Sequence, residues 1–365
     1  MTNIHIVEDI DALESACERL SEDVCFAIDT EFMREKTYAP ILCLIQVASR
    51  EFSCCIDPLS LESLDPFLSL LETKGSETIL HSCRQDFEAF DTRSSLLPSH
   101  LFDTQIAAAF CGFGDQVSYA AMVEMACDVK LAKSHTRADW SARPLSQGEL
   151  EYAMDDVLYL HAIRDFLQEK LRQFDRMSWF EEECARQLNP RNWQVDPEMA
   201  WRKLKGAMRL PVVAHQTAKE LAIWREQQAI KRNRPREWVL ATKSLLEIAR
   251  LAPDSGSKLG KIEGVNQGVL RQSATSILHI CASTNRDKQA DTLWNAPELL
   301  EPEQKKKVKA IMTELRSIAE ELSLASSLLA NRNTVEKFVR GSHDLALFKG
   351  WRNIAAGERI LEKFA

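Results

Sequence analysis

No stretch of this 365-residue chain strings together the roughly 18 uncharged apolar residues that a membrane-spanning helix needs. The start of the chain carries Glu8, Asp9, Asp11 and Glu14 rather than a basic apolar leader. Together these absences predict a soluble cytoplasmic protein with no signal peptide and no membrane partner. No Cys-x-x-Cys pair and no histidine cluster is present, which argues against zinc and redox chemistry. Ten cysteines do occur, nine of them before residue 185. Cys25, Cys43, Cys83 and Cys111 sit inside apolar stretches, so they read as buried reduced thiols and not as a disulfide framework. The adjacent Cys54 and Cys55 read as strand filler. Low-complexity tracts are missing, and strand-like alternation is missing after about residue 190.

What is present before that point alternates strands with helices. Residues 3–7, 24–28, 41–47, 52–56 and 78–81 read as strands, and 9–20, 61–71 and 85–90 as helices. The alternation indicates an α/β layered domain with a mixed sheet over residues 1–195. Ser146 and Glu149 form a capping-box pattern just after Pro144, which predicts a single long helix running to about Phe174. Asn189-Pro190 and Asp196-Pro197 mark a linker. Beyond it the chain reads as helices broken by Pro211, Pro235, Pro253 and Gly264, with a second gap near 295–302. Two small helical domains are expected, at about 208–290 and 300–365.

Charge is unevenly spread. Residues 201–250 hold twelve basic and four acidic side chains, a local +8. The whole chain is at -8, so the other 315 residues carry -16. A basic module beside an acidic one suits a polyanion-binding arm on a metal-using core. Solvated helix faces are the plainer alternative.

The chain is organised around Phe26-Ala27-Ile28-Asp29-Thr30-Glu31-Phe32. Positions i and i+2 of a strand share a face, so Asp29 and Glu31 leave the strand end pointing the same way. Adjacent anions on a buried strand are costly without a cation between them, and a divalent metal is the simplest one. With 54 acids in 365 residues, about eight acid-x-acid pairs arise by chance, so an N-cap or surface loop stays open here. Asp86 falls in the first turn of a helix just past a strand end, where open α/β sheets place their sites; a helix-dipole acid is its alternative. Tyr152 and Asp156, four apart on a helix, share a face, so the phenol can orient a water near the carboxylate. Asp155, three residues from Tyr152, is also within reach.

Asp29, Glu31, Asp86, Tyr152 and Asp156 in this order resemble ribonuclease D, of the DEDD superfamily of 3′-to-5′ exonucleases in its tyrosine subclass. The family's Asp-x-Glu is matched by Asp29-Thr30-Glu31. Its helix-opening Asp after a His-containing strand end is matched by Asp86 after His81. Its Tyr-x-x-x-Asp is matched by Tyr152 to Asp156, and only that spacing separates Asp156 from Asp155. Thr37-Tyr38-Ala39-Pro40, Phe102-Asp103-Thr104-Gln105 and Asp139 to Leu145 are similar as well. Leu221 to Arg225, Pro235 and Leu259 to Gly264 resemble an HRDC domain, and Ser327 to Arg332 a more diverged copy.

The resemblance implies a ribonuclease H-like mixed sheet with flanking helices, followed by two all-α HRDC-type domains. It implies an exoribonuclease that releases 5′-mononucleotides from RNA 3′ ends, with tRNA precursors as the usual substrate, acting as a monomer. Two divalent cations, Mg²⁺ or Mn²⁺, would be held by Asp29, Glu31, Asp86 and Asp156, with Asp29 bridging both. Tyr152 would aim the nucleophile. Phe32, Gln46, His81 and Arg137 are candidate substrate contacts, with core packing the alternative for Phe32. A DNA exonuclease and an inactive nucleic-acid-binding scaffold are the competing readings.

Overall fold

The structure, a computed structural model, describes residues 4–94, 97–131, 138–284, 293–294 and 300–364. The apolar runs of the first half form the strands β1 (Ile6–Val7), β2 (Cys25–Met33), β3 (Ile41–Ala48), β4 (Ser53–Ile56), β5 (Glu77–Leu80) and β6 (His100–Asp103). They make one six-stranded sheet in the order β1-β4-β3-β2-β5-β6. β2 is central, and Phe26, Ala27 and Ile28 are all buried, as expected for a strand covered on both faces. β2, β5 and β6 are parallel, with Ala27, Ile79 and Phe102 in one row. Two residues further on, Asp29, His81 and Thr104 therefore reach the same carboxyl edge of the sheet. β3 and β4 are antiparallel, with Gln46 opposite Cys55.

Helices α1 (Ile10–Leu20), α2 (Asp65–Glu72), α3 (Arg84–Phe90), α4 (Thr104–Phe110), α5 (Tyr119–Cys127), α6 (Gln147–Leu158), α7 (Leu160–Gln173) and α8 (Met177–Gln187) flank this sheet. α6 packs on β2 and β4, and α7 on β5, while α8 packs on β6. Two sequence expectations change. The helix expected from Leu61 begins only at Asp65, where Pro66 occupies its first turn. The single helix expected from Ser146 to Phe174 is two, α6 and α7. Its capping box is present as expected. The break comes from Tyr119, whose hydroxyl donates to the Asp155 carbonyl at 2.7 Å. That carbonyl would otherwise accept the Tyr159 N–H, which bonds to Val157 O instead.

The chain divides into two compact units. One holds the sheet with its helices and also Leu300–Ala365. In that last segment α14 (Pro302–Glu321), α15 (Ser326–Leu329), α16 (Arg332–Val339), α17 (Gly350–Arg352) and α18 (Glu358–Phe364) share the core of the sheet. Trp351 is the joint. It is 1% exposed, lies edge-on to Phe110 and stacks on Trp179, while its indole N–H donates to Glu183 at 2.8 Å. Gly112 permits the approach of this segment: its φ is +84° and a Cβ there would lie 2.7 Å from the Ser323 carbonyl oxygen.

The second unit comprises Arg34–Ile41 and Gln194–Leu299. Its helices are α9 (His215–Arg232), α10 (Arg236–Val239), α11 (Thr242–Leu251), α12 (Gly256–Leu259) and α13 (Gln267–Thr284), around Leu221, Leu245, Ile248 and Ile277. The segment between β2 and β3 is tied into this unit. Asn233 Oδ1 accepts the N–H groups of Tyr38 and Ala39, each at 3.0 Å, and the Tyr38 hydroxyl donates to buried Glu226. Arg236 donates to the same carboxylate and sits over the Tyr38 ring.

Because Trp351 shares the core of the sheet, Trp351→Ala is expected to cost about 3–5 kcal/mol. Hydrogen exchange should show β6 and α8 losing protection with α17, whereas a separately folded 300–364 module would leave them protected.

Candidate active site

Strand geometry places Asp29 and Glu31 on one face of β2, and α6 brings Asp156 to them. One carboxylate oxygen from each of the three lies within 4.8 Å of the others. Asp155 is not in this group among the described residues. Asp86, in the first turn of α3, is 6% exposed and tied to β2 by Thr30, whose hydroxyl donates to Oδ1 at 2.6 Å. The residue between the two acids of β2 thus connects them to the fourth, Asp86. Tyr152, one turn before Asp156, stacks on Trp140 with ring centroids 6.1 Å apart.

Burial and crowding decide the electrostatics. Burial, then the charges of Asp86, Asp156 and Glu31, push the Asp29 carboxyl well above its ordinary range. Burial, with Asp156 and Asp86, raises Glu31 to about 8. Burial raises Asp86 to about 7 against the opposing Thr30 hydrogen bond, and burial with Asp155 raises Asp156 to about 7. Burial, then the charges of Asp156, Glu31 and Asp29, raises Tyr152 to about 12, so the phenol stays protonated at neutral pH. Among the described residues none of the four acids forms an ion pair. A set of mutually repelling oxygen donors with no cation among them fits hard divalent ions and not zinc.

Two supports hold the acids in place. Asp103 is 2% exposed and accepts four backbone N–H groups, from Ser82 (3.2 Å), Cys83 (2.9 Å), Gln105 (2.9 Å) and Ile106 (3.1 Å). It caps α4 and fastens the turn that launches α3, and with it Asp86. Arg143 is the other. It grips Asp57 with two hydrogen bonds of 2.6 and 2.7 Å, and donates to Cys43 O at 2.6 Å and to Trp140 O at 2.8 Å. The loop carrying Trp140, the wall behind Tyr152, is thereby pinned to β3 and the end of β4.

The remaining candidates fare differently. His81 spends both ring nitrogens on scaffolding: Nε2 donates to Val117 O at 3.0 Å, and Nδ1 meets the Thr104 hydroxyl at 2.8 Å. Burial lowers its pKa, which favours the neutral ring. Phe32 is half-buried and packs against the main core. Gln46 is fully buried with no partner for either amide atom. Arg137 lies outside the described residues. Asp103, Arg143, Trp140 and Tyr119 received no role from the sequence. The segments containing the first three were visible only as family-like stretches.

Comparison with known proteins bears on the family and the fold. A family model described as a 3′-5′ exonuclease matches residues 4–172, and an HRDC domain model matches 214–281. Ribonuclease D of Acidiphilium cryptum is 33% identical over 95% of this chain and 89% of its own length. Ribonuclease D of Pseudomonas paraeruginosa is 33% identical over 98% of this chain and 96% of its own. The chain belongs to the ribonuclease D family. The crystal structure of Escherichia coli RNase D, an exoribonuclease involved in structured RNA processing, superposes with a TM-score of 0.89 at 30% identity, covering 99% of this chain and 98% of that one. The ribonuclease D fold is therefore present as a mixed sheet with flanking helices followed by a helical HRDC region, and the family uses divalent metal ions. Among the described residues, no helix is long and apolar enough to cross a membrane.

The raised carboxyl values set the sign of a pH effect. Groups whose pKa rises on folding contribute stability below their unfolded values, and that contribution is lost as pH climbs through the folded ones. The metal-free protein should lose stability between the ordinary carboxyl range and about pH 8, the Glu31 value. A divalent cation should then raise the melting temperature more at about pH 9 than at about pH 5. An equal gain at both would mean that the acids are already ionised without metal.

Proposed function

We propose that this ribonuclease D family member is a 3′-to-5′ exoribonuclease that releases nucleoside 5′-monophosphates from RNA, with the 3′ extensions of tRNA precursors as its substrates. The observation that carries this reading is the convergence of Asp29, Glu31 and Asp156, with Asp86 held beside them by Thr30. Asp29, Glu31, Asp86 and Asp156 would hold two divalent cations, Mg²⁺ or Mn²⁺. When bound, these supply Lewis-acid charge to activate a water and to stabilise the leaving oxygen.

The residues of the chain do the rest. Water attacks the terminal phosphorus, the bond to the 3′ oxygen of the preceding nucleotide breaks, and that oxygen takes up a proton. Tyr152, protonated and braced by Trp140, orients the nucleophile by hydrogen bonding and does not act as its base. Asp156 holds the catalytic position on α6, and Asp155 stands outside it. Phe32, half-buried next to Glu31, lines the approach of the terminal nucleotide, whereas Gln46 is fully buried and does not reach it. Residues 214–281 form an HRDC module that grips the RNA backbone without reading sequence. Residues 300–364 form a diverged HRDC-like module fused to the nuclease core. The protein works as a cytoplasmic monomer.

The test is stepwise shortening of a 3′-extended tRNA with Mg²⁺ or Mn²⁺. Asp156→Asn, or chelator, should cut mononucleotide release at least about 100-fold, while Asp155→Asn retains it. Faster loss of a matched single-stranded DNA would transfer the reading to a DNA exonuclease. Tight binding without release would make the protein a scaffold.

Trp140 acts through Tyr152 in this account. Trp140→Ala should lower kcat about ten-fold or more with KM little changed, and Trp140→Phe should restore much of it. In a Tyr152→Phe background, Trp140→Ala should add almost nothing. Additive losses would show that Trp140 serves general packing instead.

A further inference from the structure

The second unit contains a cavity of about 460 Å³ where the turn between α9 and α10 meets the start of α13. That volume suits one small ligand or nucleotide. Its polar side is cationic. Arg232 and Arg234 line it and no acid does. Among the described residues Arg232 donates only to the neutral Gln272 carboxamide, at 3.1 Å, and Arg234 has no ion pair. α13 is 18 residues long, and its first-turn N–H groups have no partner within the helix. The carboxamide oxygen of Asn266 takes the Val269 N–H at 3.0 Å, and Gly268 presents bare backbone beside it. Ser273 lines the wall on α13. Ser273 is 3% exposed, and its oxygen has no hydrogen-bond partner. The apolar side is formed by Trp238, 59% exposed, with Val239 and Val269. A large exposed indole beside two arginines is poorly explained by packing.

We propose that this cavity holds one nucleotide of single-stranded RNA, its base stacked on Trp238 and its phosphate between Arg232, Arg234 and the start of α13. The proposal deepens the exoribonuclease reading and rests on it for the identity of the strand. Stacking accepts any base, and helix N–H groups with guanidinium donors take any phosphate, so the cavity holds the strand without reading it. Pairs inside a duplex are covered on both faces by their neighbours and only the two end pairs leave one face open, so a long blunt duplex offers Trp238 far less than a single strand does.

The test uses the full chain carrying Asp156→Asn, in chelator, with a labelled single-stranded oligoribonucleotide read by fluorescence anisotropy across a salt series. Trp238→Ala should weaken binding about ten-fold, and Trp238→Phe should retain most of it. Arg234→Gln should weaken binding and reduce the salt slope by about one. Lys261→Gln, exposed and outside the cavity, is the charge control. Arg234 is exposed, so its variant keeps the test valid if Trp238→Ala lowers stability. Wild-type binding by both cavity variants would overturn the proposal. So would equal losses in Arg234→Gln and Lys261→Gln, or a blunt duplex that binds as tightly and depends equally on Trp238. Mononucleotide release by the wild-type chain on the same RNA reports the nuclease reading separately. Release with Trp238-independent binding overturns the cavity alone. Trp238-dependent binding without release supports the cavity and overturns the nuclease reading.

Discussion

The burial of four carboxylates, Asp29, Glu31, Asp86 and Asp156, in one crowded site is the constraint on which the rest of this structure depends. Burial raises the pKa of all four, and the charges of Asp86 and Asp156 add to it at Asp29 and Glu31. Left to themselves such groups would move apart or disrupt the elements that carry them. The fold prevents this by fixing each element from a second direction. β2 is locked between β3 and β5, α3 by the Asp103 carboxylate, and α6 by its capping box and by packing of Met154 on Cys55. The metal-free site is thus a strained arrangement that a divalent cation relieves, which is a sound reason for a chain to keep it.

The break after α6 belongs to the same arrangement. The Tyr119 hydroxyl donates to the carbonyl of Asp155, next to the candidate metal ligand Asp156, and ends the helix within one turn of the carboxylate cluster. Tyr119 also lies edge-on to His81, whose ring holds the Val117 carbonyl. His81, Tyr119 and Asp155 form a chain of contacts from the end of β5 to α6. Local geometry at Asp156 therefore depends on the start of α5, more than 30 residues away in sequence.

How much of this was legible follows from the range of each signal. The period of a strand sets Asp29 and Glu31 side by side, and the period of a helix does the same for Tyr152 and Asp156, so these pairs could be read locally. Asp86 was readable as a first-turn acid but not as the partner of Thr30, 56 residues earlier. Asp103 and Arg143 were illegible as supports because the partners that matter, Ser82 and Cys83 for one and Asp57 and Cys43 for the other, are distant in sequence. Arg143 reaches 86 residues back to Asp57. Helix periodicity cannot say which surface an apolar stripe covers, so nothing in residues 300–364 announced that Trp351 would pack on Phe110 and Trp179. The +8 count at 201–250 also overstated the charge available to a ligand. Arg225 is 7% exposed and bonds to Leu240 O and Thr242, and Arg236 is paired with Glu226.

The central claim is that the metal-free carboxylates carry protons which a divalent cation displaces. Calorimetric titration of Mn²⁺ into the full chain, in buffers of different ionisation enthalpy, counts those protons directly. Near pH 7 the account predicts net proton release on binding, diminishing as pH rises through about 8, where Glu31 ionises in any case. Tight binding near pH 7 with no proton release would contradict it, because the acids would then be ionised already and their crowding would carry no electrostatic cost.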